Sequence, residues 1–429
     1  MLLGLLLAAL AVTVQGCQED LESTAACPAL CPSQNVAVRD TAFGVSLDTT
    51  LAGFPSVGTE SFLLVASRGD TLEAAAVIRF DTLPARAVQA LGDSAIAITS
   101  VDSAIVRVRL DLNGSTLPET ITIDAYDVDT TAAEPDTAAV AALFRPDRLI
   151  GGVTLARAAV LDSVLVPVSN AVVLDRITSR RRLRVGLRVR GSGGAQLRIF
   201  SVEGATGTAL GPRLTFRASA DTALRAIPQS PVSVTPEDRV DVRSELRDYT
   251  VVLAGATGDV AGALGVGGLP ARRSYLRFDI PPALLTQATI VRATLVLTQR
   301  PGSGADVRDT FYVYPHVVLA GSAITDIERA ARLLGPKPGS FVNTVLSPLS
   351  ADSLLVVPAD SGTRAVELIR LVRQWQTRAD TLAPRAIVLR SDREGTAPMA
   401  ALFFSTDAAP ELRPQLRVSY VPSVSFGLP

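Results

Sequence analysis

Apolar and charged positions alternate along much of the chain. Val106, Val108 and Leu110 alternate with charged residues, and the stretch 183–190 repeats this pattern. A period of two places one row of side chains in a core and the other in water, as in a half-buried strand. Gly, Pro, Asp and Ser, which are typical of turns, separate these runs. The pattern therefore predicts an all-β fold of antiparallel strands.

Helical periodicity is confined to two short stretches. Residues 325–334 begin with a Thr-Asp cap and are followed by Gly335-Pro336, which predicts one short helix. Residues 365–378 predict a second helix, whose apolar face consists of Val366, Ile369, Val372 and Trp375. We expect Trp375, the single tryptophan, to fill the core rather than to stack on a ligand.

The two halves of the chain repeat each other in sequence. Residues 77–81, 162–166, 200–201 and 212–216 resemble 275–279, 352–356, 404–405 and 414–418, in the same order. A spacing of about 190 residues is a domain duplication rather than a short solenoid repeat. We therefore predict two tandem antiparallel β-sandwich domains of jelly-roll-like form. Their expected bounds are 36–219 and 236–421, with a linker at 220–235 and a tail at 422–429.

The N-terminus carries the features of an export signal. An apolar run over 1–14 leads to Gly16-Cys17, and the run is too short to span a bilayer. The segment resembles a bacterial lipoprotein signal, which implies a signal peptide at 1–16 and lipid on Cys17. Residues 17–35 then form a polar tether. By the same resemblance, Gln18 after the lipidated cysteine favours the outer membrane.

The remaining two cysteines, Cys27 and Cys31, form an even pair in this tether. Outside the cytoplasm we predict a small disulfide loop between them. Two thiolates alone cannot complete a zinc shell, and redox dithiols usually have a Cys-x-x-Cys spacing.

Composition and charge argue against several classes of function. The net charge is −1, which does not favour a nucleic-acid partner. His316 is the only histidine, so we expect neither a catalytic triad nor a catalytic zinc site. Residues 262–268 are Gly-rich but lack the lysine of a phosphate-binding loop, and we expect a plain loop there. We predict no catalytic residues and no bound cofactor.

A structural calcium ion stays open as an alternative. Asp124, Asp127 and Asp129 could surround such an ion, although the segment lacks the glycine and terminal Glu of an EF-hand loop. We therefore interpret the segment as a strand end whose Asp side chains face water.

The second half also resembles a known family. The resemblance covers 235–421 and rests on 275–279, 288–295, 371–375 (Leu-Val-Arg-Gln-Trp) and the closing segment 411–420. These motifs are similar to those of DNRLRE-type (disaggregatase-related) domains. The resemblance implies a jelly-roll fold and a non-catalytic, carbohydrate-binding-like role. Residues 36–218 form a weaker copy that lacks the helix ending in Trp.

These observations favour a membrane-anchored lipoprotein that displays two modules for binding or scaffolding at the cell envelope. Envelope polysaccharide or a surface protein is the expected partner. Tyr312 and Tyr314 share one face of a predicted strand and are the best candidates for sugar contacts. Aromatic residues make up only 5% of the chain, which tilts the choice toward protein contact or a structural role. The alternative is a polysaccharide lyase or hydrolase on a jelly-roll scaffold.

Overall fold

The computed structural model describes most of the chain beyond residue 36. The described residues are 37–55, 57–87, 94–130, 136–204, 210–218, 226–232, 246–255, 262–302, 304–306, 308–318, 346–348, 352–377 and 385–423. The predicted signal peptide, the tether with Cys17, Cys27 and Cys31, and the predicted helix at 325–334 lie outside them. By its contacts, Asp40–Pro429 forms one unit.

The described residues are mostly strand, with four short α-helices. The first thirteen strands are β1 (Arg39–Phe54), β2 (Phe62–Ser67), β3 (Leu72–Phe80), β4 (Arg86–Ala87), β5 (Ile96–Ala97), β6 (Val101–Arg109), β7 (Thr120–Asp127), β8 (Leu149–Ala156), β9 (Ser163–Pro167), β10 (Leu183–Gly191), β11 (Ala195–Phe200), β12 (Arg213–Ala218) and β13 (Ile227–Gln229). The others are β14 (Asp248–Gly255), β15 (Ala263–Gly267), β16 (Ala271–Phe278), β17 (Ala288–Arg300), β18 (Phe311–Val318), β19 (Leu346–Pro348), β20 (Leu354–Val356), β21 (Gly362–Glu367), β22 (Ala386–Ser391), β23 (Ala400–Phe404) and β24 (Gln415–Pro422). The helices are α1 (Thr137–Ala141), α2 (Asn170–Thr178), α3 (Pro282–Thr286) and α4 (Ile369–Thr377).

The first half contains a seven-stranded and a four-stranded sheet. The larger has the order β11-β2-β3-β10-β7-β8 with β14 added to β3, and the smaller has the order β13-β12-β6-β9. Both sheets contribute to one hydrophobic core, for example through Phe80 and Leu187 from the larger sheet and Val106 and Phe216 from the smaller. The strand pairs in both sheets are antiparallel, so the all-β prediction is confirmed at this level.

The second half is built around an eleven-stranded sheet and a second core. The sheet has the order β1-β24-β17-β23-β15-β16-β22-β18-β19, with β20 on β18 and β21 on β17. Trp375 is 3% exposed in this core. Its ring centroid lies 6.3 Å from that of Phe278. The prediction that Trp375 fills the core is therefore confirmed.

The two halves use the same order of elements. The strands β2, β3, β6, β7, β10, β11 and β12 correspond in order and pairing to β15, β16, β17, β18, β22, β23 and β24. A helix follows at the same point in each: α2 comes after β9 and packs on β6, and α4 comes after β21 and packs on β17. The first half therefore also has a helix at this position, although it lacks the Leu-Val-Arg-Gln-Trp sequence of α4. Val173 and Ile177 bury its inner face without a tryptophan.

Three predicted details differ from the structure. The predicted helix at 365–378 begins only at Ile369, because Val366 pairs with Leu295 in the sheet. The stretches 162–166 and 352–356 are not equivalent, because β9 pairs with β6 whereas β20 pairs with β18. The expected plain loop at 262–268 contains the strand β15, whose residues are buried.

The strands nearest the start of each half are exchanged between the halves. Strand β1 pairs with β16 of the second half, with Thr49 opposite Tyr275. Strand β14 pairs with β3 of the first half, with Tyr249 opposite Val77. The expected linker at 220–235 also contributes to the first half, because its residues 227–229 form β13 against β12. The sheets therefore do not follow the expected bounds 36–219 and 236–421.

The two exchanged strands make the same contacts. Asp48 lies opposite Leu276 and Asp248 opposite Ile78, so the register is identical in the two copies of the repeated motif. Thr50 Oγ1 accepts a hydrogen bond from the Gly265 amide at 3.0 Å. Thr250 Oγ1 accepts one from the Leu64 amide at 2.9 Å. The pattern Asp-x-Thr thus marks the equivalent strand in each half.

In the part of the chain that the structure describes, no helix has the length and apolar character to cross a membrane.

Candidate ligand-binding cleft

A polar cleft of about 690 Å³ lies where turns of both halves meet. The first half contributes the β2–β3 turn, the β6–β7 loop and the β10–β11 turn, and the second half contributes the β17–β18 and β22–β23 loops. The polar side chains along it include Asn113, Gln196, Asp306 and Arg393. Recognition sites commonly form on loops that a rigid sheet positions. A cleft assembled from five such turns is therefore the best candidate site in the described residues.

An ion pair joins the two halves at the wall of this cleft. Arg68, on the β2–β3 turn, donates hydrogen bonds from Nη1 to both carboxylate oxygens of Asp309 at 2.9 Å. Asp309 precedes β18, and its side chain is only 7% exposed. It also accepts a hydrogen bond from the Asp306 amide at 2.9 Å. Because charge-assisted hydrogen bonds are strong when solvent is excluded, this contact stabilises the wall.

A second group of charged side chains at the cleft consists of Arg198, Asp111 and Arg393. Arg198 pairs with Asp111, and its guanidinium lies 4.2 Å from the ring centroid of Phe62. Burial lowers the pKa of Arg198 in spite of Asp111, and the positive charge of Arg393 lowers it further. Within the described residues, the side chain of Arg393 has neither a hydrogen bond nor an ion pair. Its guanidinium is therefore available to a ligand.

Glycine is required at two of the cleft turns. Gly193 has a φ of +78°, a conformation that L side chains rarely adopt, and it allows the tight β10–β11 turn. At Gly114 a Cβ atom would lie 2.6 Å from Arg198 Nε. A side chain at either position would strain the turn or collide with Arg198, so glycine shapes the cleft here. The side chains of Asn113, Gln196 and Arg393 can together donate hydrogen bonds to a polar, hydroxyl-rich ligand and accept them from it.

The predicted sugar contacts lie together, and neither of them belongs to the cleft lining. Tyr312 and Tyr314 share the outer face of β18, with ring centroids 6.3 Å apart and an interplanar angle of 46°. Tyr312 is 43% exposed, and its amide donates to Asp392. The two rings are tilted against each other, so they do not form a flat platform.

His316 follows Tyr314 on the same face. Burial, together with the positive charge of the neighbouring Arg390, lowers the pKa of His316 to about 4. The imidazole is therefore neutral at physiological pH. In the described part of the chain its Nδ1 atom has no hydrogen-bond partner, so no carboxylate orients it as in a catalytic triad.

Two of the three Asp residues that we expected to face water are instead buried, and Asp129 is half-buried beside Arg182 and Arg184. Asp124 and Asp127 are 4% and 7% exposed. Asp124 accepts hydrogen bonds of 2.6 and 2.9 Å from Arg190. Asp127 accepts one of 2.5 Å from Arg176. Arginines thus engage the carboxylates that we considered for calcium. Among the described residues, no group of three or more His, Cys, Asp or Glu side chains is arranged to hold a metal ion.

Sequence reasoning did not find the cleft. The turns that form it appear in the sequence only as Gly-rich stretches at 112–116 and 191–194, which are ordinary turn signals. These turns meet at the cleft because of the way the two halves pack together. The sequence of a single turn does not reveal that packing.

Fold and site together define an antiparallel β-sheet protein whose two repeated halves exchange strands and enclose a polar cleft. No protein-family model matches the sequence, and comparison with curated proteins gave no match.

Proposed function

We propose that this protein is a non-catalytic envelope lipoprotein that displays two jelly-roll-like β-sandwich modules and binds a polar, hydroxyl-rich ligand. The cleft between the turns of the two halves is the observation that carries this proposal. Its volume falls within the range of small-ligand sites. The polar groups that line the cleft can form hydrogen bonds with the hydroxyl groups of an oligosaccharide. An apolar ligand would leave them without partners.

The N-terminal sequence supports the location. The apolar run followed by Gly16-Cys17 is the basis for lipid attachment at Cys17, and the polar segment up to residue 35 gives the folded part its distance from the outer membrane. The intact mass of the membrane-extracted protein tests this part. A chain that begins at Cys17 with three acyl chains supports it, whereas an unmodified chain with another start contradicts it.

A glycan array tests binding. The soluble chain 37–429 is compared with Arg393→Ala and Asn113→Ala in the cleft and with a double Tyr312→Ala, Tyr314→Ala variant. We expect each cleft variant to weaken binding roughly tenfold or more, because a charged or amide hydrogen bond to ligand is lost. The tyrosine variant should bind like the parent chain.

Arg417→Ala serves as the matched control, since Arg417 is an exposed arginine on β24 outside the cleft lining. Binding that is lost only in the tyrosine variant would move the site to β18. Turnover of a bound polysaccharide would replace the proposal with an enzyme.

A further inference from the structure

The connection between β1 and β2 crosses the segment that leads into β14. Residues 57–61 connect β1 to β2, and Leu246 and Arg247 precede β14. Gly58 has a φ of +79°, and a Cβ atom there would lie 2.4 Å from Leu246 Cδ2. The two crossing segments are therefore in close contact at this point.

Three carboxyl groups converge at this crossing. Glu60 comes from the connection, Glu203 from the turn after β11, and Asp248 from β14. Glu60 and Asp248 are 6% and 0% exposed. The Gly58 amide donates to Glu60 Oε2 at 2.5 Å. The Val202 amide donates to Asp248 Oδ2 at 2.9 Å.

The charges around this group do not balance when all three acids are ionised. Arg247 lies 3.2 Å from Glu203 and is the one cation that pairs with the group in the described residues. Asp248 Oδ1 and Glu203 Oε2 are buried without a hydrogen-bond donor there. Two carboxylate oxygens that are buried close together with no donor between them are stabilised when their groups share a proton.

Burial is the main cause that raises the pKa of Glu60 to about 7, and the nearby carboxylate of Glu203 contributes to this rise. Burial also raises the pKa of Asp248 to about 8, again with Glu203 as the next cause. Both groups therefore hold protons in the folded chain at pH values where the unfolded chain has released them.

We propose that Glu60, Glu203 and Asp248 form a proton-dependent latch that holds β14 against the β1–β2 connection. When protonated, the latch has hydrogen bonds between its carboxyl groups and keeps the exchanged strand in place. When ionised, it places uncompensated negative charge at the crossing and loosens that strand. The exchange between the halves thereby becomes sensitive to pH.

The other crossing has no such latch. Asp48, the equivalent of Asp248, accepts hydrogen bonds from the Thr406 amide at 2.8 Å and from Thr406 Oγ1 at 3.0 Å. Asp407 occupies the position of Glu203 and is exposed. This carboxylate is paired with donors rather than with a second acid. The β14 crossing therefore differs from its counterpart in bringing several carboxyl groups together.

The direction of the pH effect follows from the raised pKa values. Between about pH 4 and pH 8 the folded chain binds more protons at the latch than the unfolded chain, so stability falls as pH rises through this range. Above about pH 8 no further loss arises from these groups. Below about pH 4 both states are protonated and the latch adds no slope.

Thermal unfolding of the chain 37–429 at pH 5.5 and pH 8.5 tests the latch. We expect the parent chain to melt at least roughly 5 °C lower at pH 8.5, and Asp248→Asn to remove most of that difference. Glu203→Gln is the second variant, for use if Asp248→Asn does not fold. Asp48→Asn is the matched control and should leave the difference between the two pH values unchanged.

Two outcomes would overturn the latch. One is a melting temperature with the same pH dependence in the parent chain and in both latch variants. The other is a rise at pH 8.5 on adding CaCl₂ to the parent chain but not to Asp248→Asn, because the group would then be a cation site.

Discussion

Asp81 lies between two arginines in the interior of the first half. Arg79 Nη2 donates to Asp81 Oδ2 at 2.7 Å, and Arg184 Nε donates to Oδ1 at 3.2 Å. The three side chains are 0–1% exposed. Burial alone would raise the pKa of Asp81, but the hydrogen bonds from Arg79 and Arg184 outweigh it and hold this pKa below its usual range. Asp81 is therefore ionised in the folded chain.

We predict that Asp81→Asn destabilises the chain by about 3–5 kcal/mol at pH 7, because it leaves two buried arginines without their shared counter-ion. The stability that Asp81 contributes is present above the pKa of the unfolded group and is lost as pH falls through the lower folded value. The difference between variant and parent should therefore shrink below about pH 4. Urea unfolding measures the change. Asp175→Asn, which breaks the exposed pair with Arg181, is the control and should cost less than about 1 kcal/mol.

The sequence predicts the burial of some side chains and not of others. Helical spacing aligns Trp375 with apolar neighbours and so predicts its place in the core, because that periodicity is a local property of the sequence. The motif Arg-Phe-Asp occurs at both 79–81 and 277–279, yet Asp279 is exposed and the Asp81 side chain is buried. The difference arises from Arg184 on a neighbouring strand, which no short window of sequence includes.

At the scale of elements, the exchange of β1 and β14 decides which segments stabilise each half. Tyr249 and Val251 of β14 are buried against Ala75 and Val77 of β3. Phe43 and Val45 of β1 pack against the second core. A strand that supplies one side of a core cannot leave without exposing apolar surface and unpaired backbone groups.

We predict that removal of β1 disturbs Trp375, although more than 300 residues separate them in sequence. A chain that begins at residue 55 loses one of the strands that pair with β16, so the second core opens and Trp375 emission shifts toward longer wavelengths. A chain that begins at residue 37 is the control and should keep the emission of a buried indole. An unchanged emission spectrum in the shorter chain would show that β1 is dispensable for the second half.

Periodicity predicted the strands but not their partners. The alternation of apolar and polar residues predicts which face of a strand is buried, but it does not predict with which sheet the strand pairs. The pattern Asp-x-Thr at 48–50 and 248–250 is the sequence signal that could have revealed the exchange. It indicates that β1 and β14 occupy equivalent places in the two repeated halves. The helix α2 was missed for a different reason: its inner face has Val173 and Ile177, whose β-branched side chains also suit a strand.

At the scale of the whole molecule, the cleft and the exchange depend on both halves at once. Arg68 and Asp309 close the cleft wall from opposite halves, and each half lacks the strand that completes its own sheet. Neither half should therefore behave as an independent domain, even though each has its own core.

We predict that fragments 37–222 and 223–423 co-purify as a 1:1 complex when they are expressed together. Each fragment has the strand that the other requires: β1 is in the first fragment and β14 in the second. Size-exclusion chromatography with light scattering measures the complex, and Trp375 emission reports whether its second core is closed. Expressed alone, each fragment should aggregate or self-associate, because an unpaired sheet edge is a template for another chain. If both fragments were folded, monomeric and did not bind each other, each half would complete its own sheet. The exchange would then be absent in solution.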